Sequence, residues 1–274
     1  MLSRLKIFSR KANESKLLTV FIVLGTSLSA LGQVQSQFHD KADLDPDLVR
    51  SGTDFLTEST RQMQHDSFGN PGLLWVDRGK ALFEDDTRTV SCKSCHEDRL
   101  TGVFARFPTH DEKLNTLTNI EGQINQCRTQ HQALQPLKYE STALLSLTAY
   151  IASQSRDMPY SVSVDGGVKE YFDRGREYFF TRRGQLNLAC TQCHDDNWGR
   201  MLRGDRISQG HSNAYPAYRL EWQTMGSLHR RIADCDVGVR AAPFASGSPE
   251  YLELELYLAW RSANLPIESP GVRR

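Results

Sequence analysis

The chain lacks long apolar runs, and the one it has is short for an uncleaved membrane anchor. Its longest, Leu17–Gly32 (LLTVFIVLGTSLSALG), stops at sixteen residues and carries glycine and serine within it, whereas a spanning helix needs about 20. Arg4, Lys6, Arg10, Lys11 and Lys16 precede this run, and the small-residue end Ala30-Leu31-Gly32 closes it. It reads as a secretory signal peptide over residues 1–32, removed on export. An excess of charge of one sign is missing too. Of 33 basic and 33 acidic residues, five and one lie in that leader, so the remainder carries 28 and 32 and a net charge of −4. A weakly acidic body argues against nucleic acid as a partner. Aromatic residues are few, with 12 Phe, 9 Tyr and 4 Trp in 274 residues. That speaks against one large aromatic core and allows two small domains.

What the chain does have is six cysteines, none of them spare. Cys92-Lys93-Ser94-Cys95-His96 and Cys190-Thr191-Gln192-Cys193-His194 take four, and Cys127 and Cys235 follow them one each. Two cysteines on one turn followed at once by histidine is the spacing of covalent haem attachment. The thiols bind the vinyl groups, and the adjoining imidazole becomes an axial iron ligand. The expected cofactors are two c-type haems, attached at Cys92, Cys95, Cys190 and Cys193, with His96 and His194 on the irons. Haem attachment takes place outside the bacterial inner membrane, which agrees with the leader and implies a periplasmic location.

The haem motifs sit inside an internal repeat. Asp77-Arg78-Gly79-x-x-x-Phe83 precedes Cys92 by 15 residues, and Asp173-Arg174-Gly175-x-x-x-Phe179 precedes Cys190 by 17. Later, Leu147–Pro159 (LTAYIASQSRDMP) aligns without gaps on Leu254–Pro266 (LELYLAWRSANLP). Both have apolar residues at helical spacing and a proline that ends the helix. Each unit reads as helix, haem motif, long loop and closing helix, the layout of a small class I cytochrome c. The expected fold is mainly α, with two such haem domains at 76–160 and 161–274. The breakers Pro159, Gly166 and Gly167 suggest a hinge over Asp157–Gly167. Residues 33–75 read as an extension packed on the first domain, with an amphipathic candidate over Leu48–Met63.

The repeat puts Cys127 and Cys235 at one position, each three residues after an isoleucine (Ile124, Ile232). Three arrangements are open: a Cys127–Cys235 disulfide, iron ligation by Met158 or Met225, and a thiolate on each iron. Met158 aligns with Leu265 and Met225 with Leu117, so neither methionine repeats. A disulfide would tie equivalent positions of two domains together. Equal placement favours equal roles as thiolate ligands, which stabilise ferric iron and lower its potential.

The two halves differ in charge. Arg231, Arg230 and Arg261 of the second unit stand where the first has Gln123, Gly122 and Gln154. Guanidinium is a donor fork suited to oxyanions, so Arg231, one helical turn before Cys235, is a candidate anion-binding residue, and the others are candidates for haem propionates or solvent. The second unit also holds ten more residues between its haem motif and its lone cysteine. They include Trp198, Arg203, Arg206, His211 and Arg219, which suit a pocket or docking surface. His211 and His229 read as supporting or surface residues.

In NPGLLWVDRG, CKSCH, INQCRTQ, LTAYIASQSRDMP, CTQCH, LRGDRISQGH, GSLHRRIADCDVGVRA and YLELELYLAWRSANLPIESPGVRR the chain resembles the SoxA family, dihaem subunits of the SoxAX cytochromes of bacterial thiosulfate oxidation. The resemblance runs through nearly all of the mature chain. It implies a thiosulfotransferase that joins thiosulfate to a cysteine of the carrier SoxYZ, while electrons leave to cytochrome c. It also implies a heterodimer with a monohaem SoxX-like subunit. By position, Cys235 is then both iron ligand and active cysteine, held as a persulfide. Arg231 binds substrate, Arg261 is a second cation at the site, and Cys127 is a haem ligand only. A dihaem electron carrier without a substrate site is the competing reading, and the arginine asymmetry counts against it. A dihaem peroxidase needs an open iron, whereas both irons here have a candidate ligand on each face.

Overall fold

The structure, a computed structural model, describes residues 45–274 apart from 88, 89 and 98. The leader expected at 1–32 and the start of the extension lie outside the described residues. The helices run α1 (Glu58–His65), α2 (Leu73–Glu84), α3 (Cys92–His96), α4 (Ile120–His131), α5 (Thr142–Ser153), α6 (Lys169–Phe180), α7 (Cys190–His194), α8 (Leu228–Gly238) and α9 (Pro249–Arg261). Short strands fill the loops: β1 (Thr109–Asp111) with β2 (Thr116–Thr118), β3 (Met201–Leu202) with β4 (Asp205–Arg206), and β5 (Ala217–Arg219) between β6 (Thr224–Gly226) and β7 (Gly271–Arg273). This is the mainly α, duplicated layout expected, with the helix, haem motif, loop and closing helix present twice.

The repeated Asp-Arg-Gly marks where the helices of each half cross. A Cβ on Gly79 of α2 would lie 1.9 Å from the Ser146 carbonyl oxygen of α5, and one on Gly175 of α6 would lie 1.9 Å from that of Glu253 on α9. Only glycine lets two backbones approach so closely. Ser146 and Glu253 are equivalent positions of the repeat. The caps repeat as well. Ser141 and Ser248 accept from the backbone N–H of Leu144 and Tyr251 at the start of α5 and α9, and Asn119 and Ser227 do the same for α4 and α8. Each such cap contributes about 1 kcal/mol.

Around the first crossing, Phe83, Phe104, Ile124, Leu144, Leu147 and Ile151 form one core. Around the second, Phe172, Phe179, Ile232, Tyr251, Leu254 and Tyr257 form another. The cores interlock, because Ala259 and Ile267 join the first and Leu117 joins the second. The expected hinge is stitched down at its start. Pro159 and Pro266 bridge one another, Asp157 N–H donates to the Ile267 carbonyl at 2.9 Å, and Ile267 N–H donates to Met158 at 2.9 Å. Equivalent ends of the two closing helices therefore pair across a local two-fold.

The extension departs from expectation. It packs on the second half: Ser51 Oγ donates to Glu268 at 2.8 Å, Val272 N–H donates to Gln64 Oε1 at 3.0 Å, and Asn70 Nδ2 donates to the Pro270 carbonyl at 3.0 Å. The C-terminal strand β7 offers polar backbone there, and the extension satisfies it. The helical candidate over Leu48–Met63 is also shorter than its pattern. 3-10 turns occupy Pro46–Leu48 and Gly52–Phe55, and the α-helix begins only after the Thr57 cap.

Candidate active site

Two elements face each other in the second half. α7 opens at Ala189, whose N–H donates to Gln192 Oε1 at 2.5 Å, and its single turn carries Cys190, Cys193 and His194. Burial pushes the Cys190 and Cys193 thiols up, and the neighbouring Cys235 adds to the effect. His194 Nδ1 is hydrogen-bonded to the Ser208 carbonyl at 2.7 Å, which commits that nitrogen as the donor and leaves Nε2 as the lone-pair nitrogen. Gly210, with φ +75°, lies under the ring so closely that a Cβ there would sit 2.8 Å from His194 Cγ.

Opposite stands α8, which carries Arg231 and Cys235 one turn apart on one face. Burial raises the Cys235 thiol, but the charge of Arg231, with lesser effects from His194 and Arg219, outweighs it and brings the sulfur down to about 7. In turn, Cys235 raises Arg231. Arg231 makes no ion pair with a carboxylate among the described residues, so its main counter-charge is the sulfur. The next residue, Asp236, is buried and fixed: Tyr178 and Tyr251 hydroxyls both donate to its Oδ2 at 2.8 Å, and Arg183 lies 3.4 Å from Oδ1.

The residues fit haem. A histidine with its second nitrogen already engaged faces a sulfur of lowered pKa, as two axial donors must, beside two thiols spaced for thioether links. Arg261 supplies a further sign. Its Nη2 donates to Asp195 at 2.7 Å, while Nε and Nη1 are buried without a partner, as donors awaiting an acidic group such as a propionate would be. Arg261 was expected as a second cation at the site. It stands on the His194 side, beside Asp195 and over the Phe179 ring at 4.4 Å. Arg219 also lowers the Cys235 thiol, more weakly than Arg231 or His194.

Other expected residues scatter. His211 is buried near Arg261 and His194 and pushed down to about 3, chiefly by burial. His229 is also buried, 2.9 Å from Glu255 and stacked on Tyr139. Neither is a surface residue. Trp198 packs edge-on against Phe55 of the extension, and Arg203 and Arg206 lie exposed on the β3–β4 hairpin. Ser208, Gly210, Asp236 and the action of Arg219 on the sulfur went unread in the sequence. The first two lie within LRGDRISQGH, where the mid-loop glycine beside the histidine unit was the available signal.

The first unit is built more openly. Cys95 and His96 are exposed, and Cys127 is half-buried with Gln123 Nε2 donating to its sulfur at 3.5 Å. Among the described residues the His96 ring has no hydrogen-bond partner; it lies 6.3 Å from the ring of Phe83. No cysteine is paired in a disulfide. Met225 is wholly buried in a separate cluster with Leu145 and Ala149, and Met158 lies at the surface over Gly102.

The family model described as SoxA/TsdA, cytochrome c domain, matches residues 78–160 and 174–267. The L-cysteine S-thiosulfotransferase subunit SoxA of Pseudaminobacter salicylatoxidans is 38% identical over 82% of this chain and 80% of its own length. That of Rhodovulum sulfidophilum is 37% identical over 83% and 81%. Among solved structures, SoxXA from P. pantotrophus matches with a TM-score of 0.79 at 36% identity, covering 82% of this chain and 87% of that one.

Proposed function

Since the chain belongs to the SoxA/TsdA cytochrome c family, we propose that it is the dihaem subunit of an L-cysteine S-thiosulfotransferase. It joins thiosulfate to a cysteine of a SoxYZ-type carrier protein, with Cys235 as its active sulfur. The observation that carries this reading is the pairing of Cys235 with an arginine that has no carboxylate partner. Arg231 offers a charged fork beside an acidified thiol, and the equivalent place in the first half holds a neutral Gln123 on Cys127. Thiosulfate is a dianion, and a guanidinium stabilises it most where water is excluded. The reaction forms one S–S bond between a carrier thiol and the terminal sulfur of thiosulfate, releasing one proton and two electrons. Cys235, itself a persulfide, takes up thiosulfate with loss of two electrons to give Cys235–S–S–S–SO3−, and the carrier thiolate then takes the S–SO3− group and leaves the persulfide behind.

Cys92, Cys95, Cys190 and Cys193 would hold two haems, with His96, Cys127, His194 and Cys235 as donors to the irons, and haem held there would supply the outlet for those electrons. A monohaem SoxX-like subunit completes a heterodimer, and a soluble cytochrome c accepts the electrons. The domains are a signal peptide at 1–32, an extension at 33–75 and haem domains at 76–160 and 161–274, the second housing the reaction. The location is periplasmic; none of the described helices is long and apolar enough to cross a membrane.

Replacing Cys235 with serine in the haem-loaded heterodimer tests the assignment. Thiosulfate-dependent coupling to the carrier should be lost while haem stays attached at Cys190 and Cys193. Intact mass of the unmodified chain should show an added ~32 Da that cyanide removes. Full activity in Cys235→Ser overturns the reading.

A further inference from the structure

The carboxylate that follows Cys235 in the chain is buried, its side chain only 6% exposed. Asp236 Oδ2 accepts from the Tyr178 hydroxyl of α6 and the Tyr251 hydroxyl of α9, each at 2.8 Å, and Arg183 Nε lies 3.4 Å from Oδ1. The Tyr251 proton is committed to this bond, because the same hydroxyl oxygen accepts the Phe244 N–H at 3.1 Å. Arg183 is held in turn, its guanidinium 4.3 Å from the Tyr178 ring and 4.9 Å from the Phe244 ring. The loop that runs on from Arg183 into α7 is tied to the same end of α8. Leu186 N–H donates to the Val239 carbonyl at 3.2 Å, and Gln185 N–H to that of Arg240 at 3.3 Å.

The repeat shows what these residues replace. Asp236 stands where the first half has Arg128, Tyr178 where it has Leu82, and Tyr251 where it has Leu144. Leu82 and Leu144 pack into the first core, and Arg128 donates to the Gln135 carbonyl at 3.3 Å. The second half has exchanged apolar packing for buried polar groups that must satisfy one another. A buried carboxylate costs stability unless it is well bonded, and leucines there would pack without that cost. What the polar set adds is direction, because hydrogen bonds to a charged acceptor hold an angle that apolar contacts do not.

We propose that Asp236, gripped by Tyr178 and Tyr251, is a positioning residue for Cys235: it sets the rotation of the last turn of α8 and so the direction of the sulfur. The inference rests on the assignment of Cys235 as the reacting sulfur. α8 ends at Gly238, three residues past Cys235, in the turn where helices fray. Neighbouring helical residues point about 100° apart, so an Asp236 fixed against α6 and α9 fixes Cys235 one step round. The sulfur has to carry a lengthening chain of sulfur atoms during turnover, and each stage must meet the same Arg231 one turn away. Cys127, with no sulfur to pass on, sits on a helix without the grip.

The test uses the haem-loaded heterodimer with thiosulfate and carrier, read by turnover and by electron paramagnetic resonance of the ferric haems. Tyr178→Phe and Tyr251→Phe each remove one hydroxyl and keep the ring. Each should lower kcat about tenfold, and the double variant about a hundredfold, with KM for thiosulfate within about twofold of the parent. The signal of the second haem should spread over more than one species, while that of the first stays as in the parent. Asp236→Asn, which keeps an acceptor for both hydroxyls, should hold more activity than Asp236→Ala. A lowered unfolding temperature with the parent's kcat and second-haem signal overturns the inference, since a purely structural contact gives that result. A raised KM with kcat unchanged overturns it as well. Cys235→Ser serves as the control. If it loses coupling while the tyrosine variants behave as the parent, the inference alone fails; if it keeps full coupling, the centre itself is misassigned and the inference falls with it.

Discussion

His194 Nδ1 donates to the Ser208 carbonyl at 2.7 Å, and the ring lies so close to Gly210 that a Cβ there would sit 2.8 Å from its Cγ. The bond orients the ring and leaves Nε2 as its lone-pair nitrogen. The first half has the same residue types in the same order, yet among its described residues nothing hydrogen-bonds the His96 ring. The duplication therefore carries one tightly held centre and one open one, and the arginines belong to the tight one.

Gly210→Ala probes that hold. With φ at +75° and His194 Cγ 2.8 Å from the new Cβ, the ring must shift or the loop must strain, at roughly 1–3 kcal/mol. The spectrum of the second haem should change and that of the first should not, measured in the loaded chain by visible and electron paramagnetic resonance spectroscopy. An unchanged second haem would mean that the loop does not set the ring.

Cys127→Met separates the two haems by role. Replacing a thiolate with a thioether should raise the reduction potential of the first haem and alter its spectrum, and thiosulfate coupling should persist. Two unchanged spectra would show that Cys127 is not an iron ligand.

Arg261→Gln distinguishes a haem partner from a substrate partner. The buried pair with Asp195 at 2.7 Å and the two unpartnered donors place its effect on the second haem. Removing one partner of such a pair costs about 3–5 kcal/mol of stability. Thermal unfolding and haem potential should shift, while KM for thiosulfate should stay within about twofold of the parent. A large rise in KM with an unchanged potential would return Arg261 to the substrate.

Much of this was legible in the chain because it is written in local spacing. The cysteine units, the repeat and the matched positions of Cys127 and Cys235 need no tertiary knowledge, and Arg231 is a turn from Cys235 in any helix. Gly79 and Gly175 were visible as repeated glycines, but their reason appears only where α2 meets α5 and α6 meets α9. What stayed hidden depends on contacts between distant segments. Ser51 and Gln64 reach Glu268 and Val272 across more than two hundred residues, with no periodicity to announce it. Arg261 aligned with Gln154 reports a change of charge, not a direction, and the side chain turns towards Asp195. Arg219 was one of several arginines in an insert, and only its strand pairing shows that it is buried beside Thr224 and Arg273.

The most direct measurement of the central claim is steady-state coupling by Arg231→Gln, a change that copies Gln123 into the second centre. Haem content and the unfolding transition should stay as in the parent. A charged hydrogen bond made at the transition state contributes on the order of 2–4 kcal/mol, so kcat/KM for thiosulfate should fall about 30- to 1000-fold. Turnover equal to the parent's would contradict the account and leave Arg231 a partner of the haem alone.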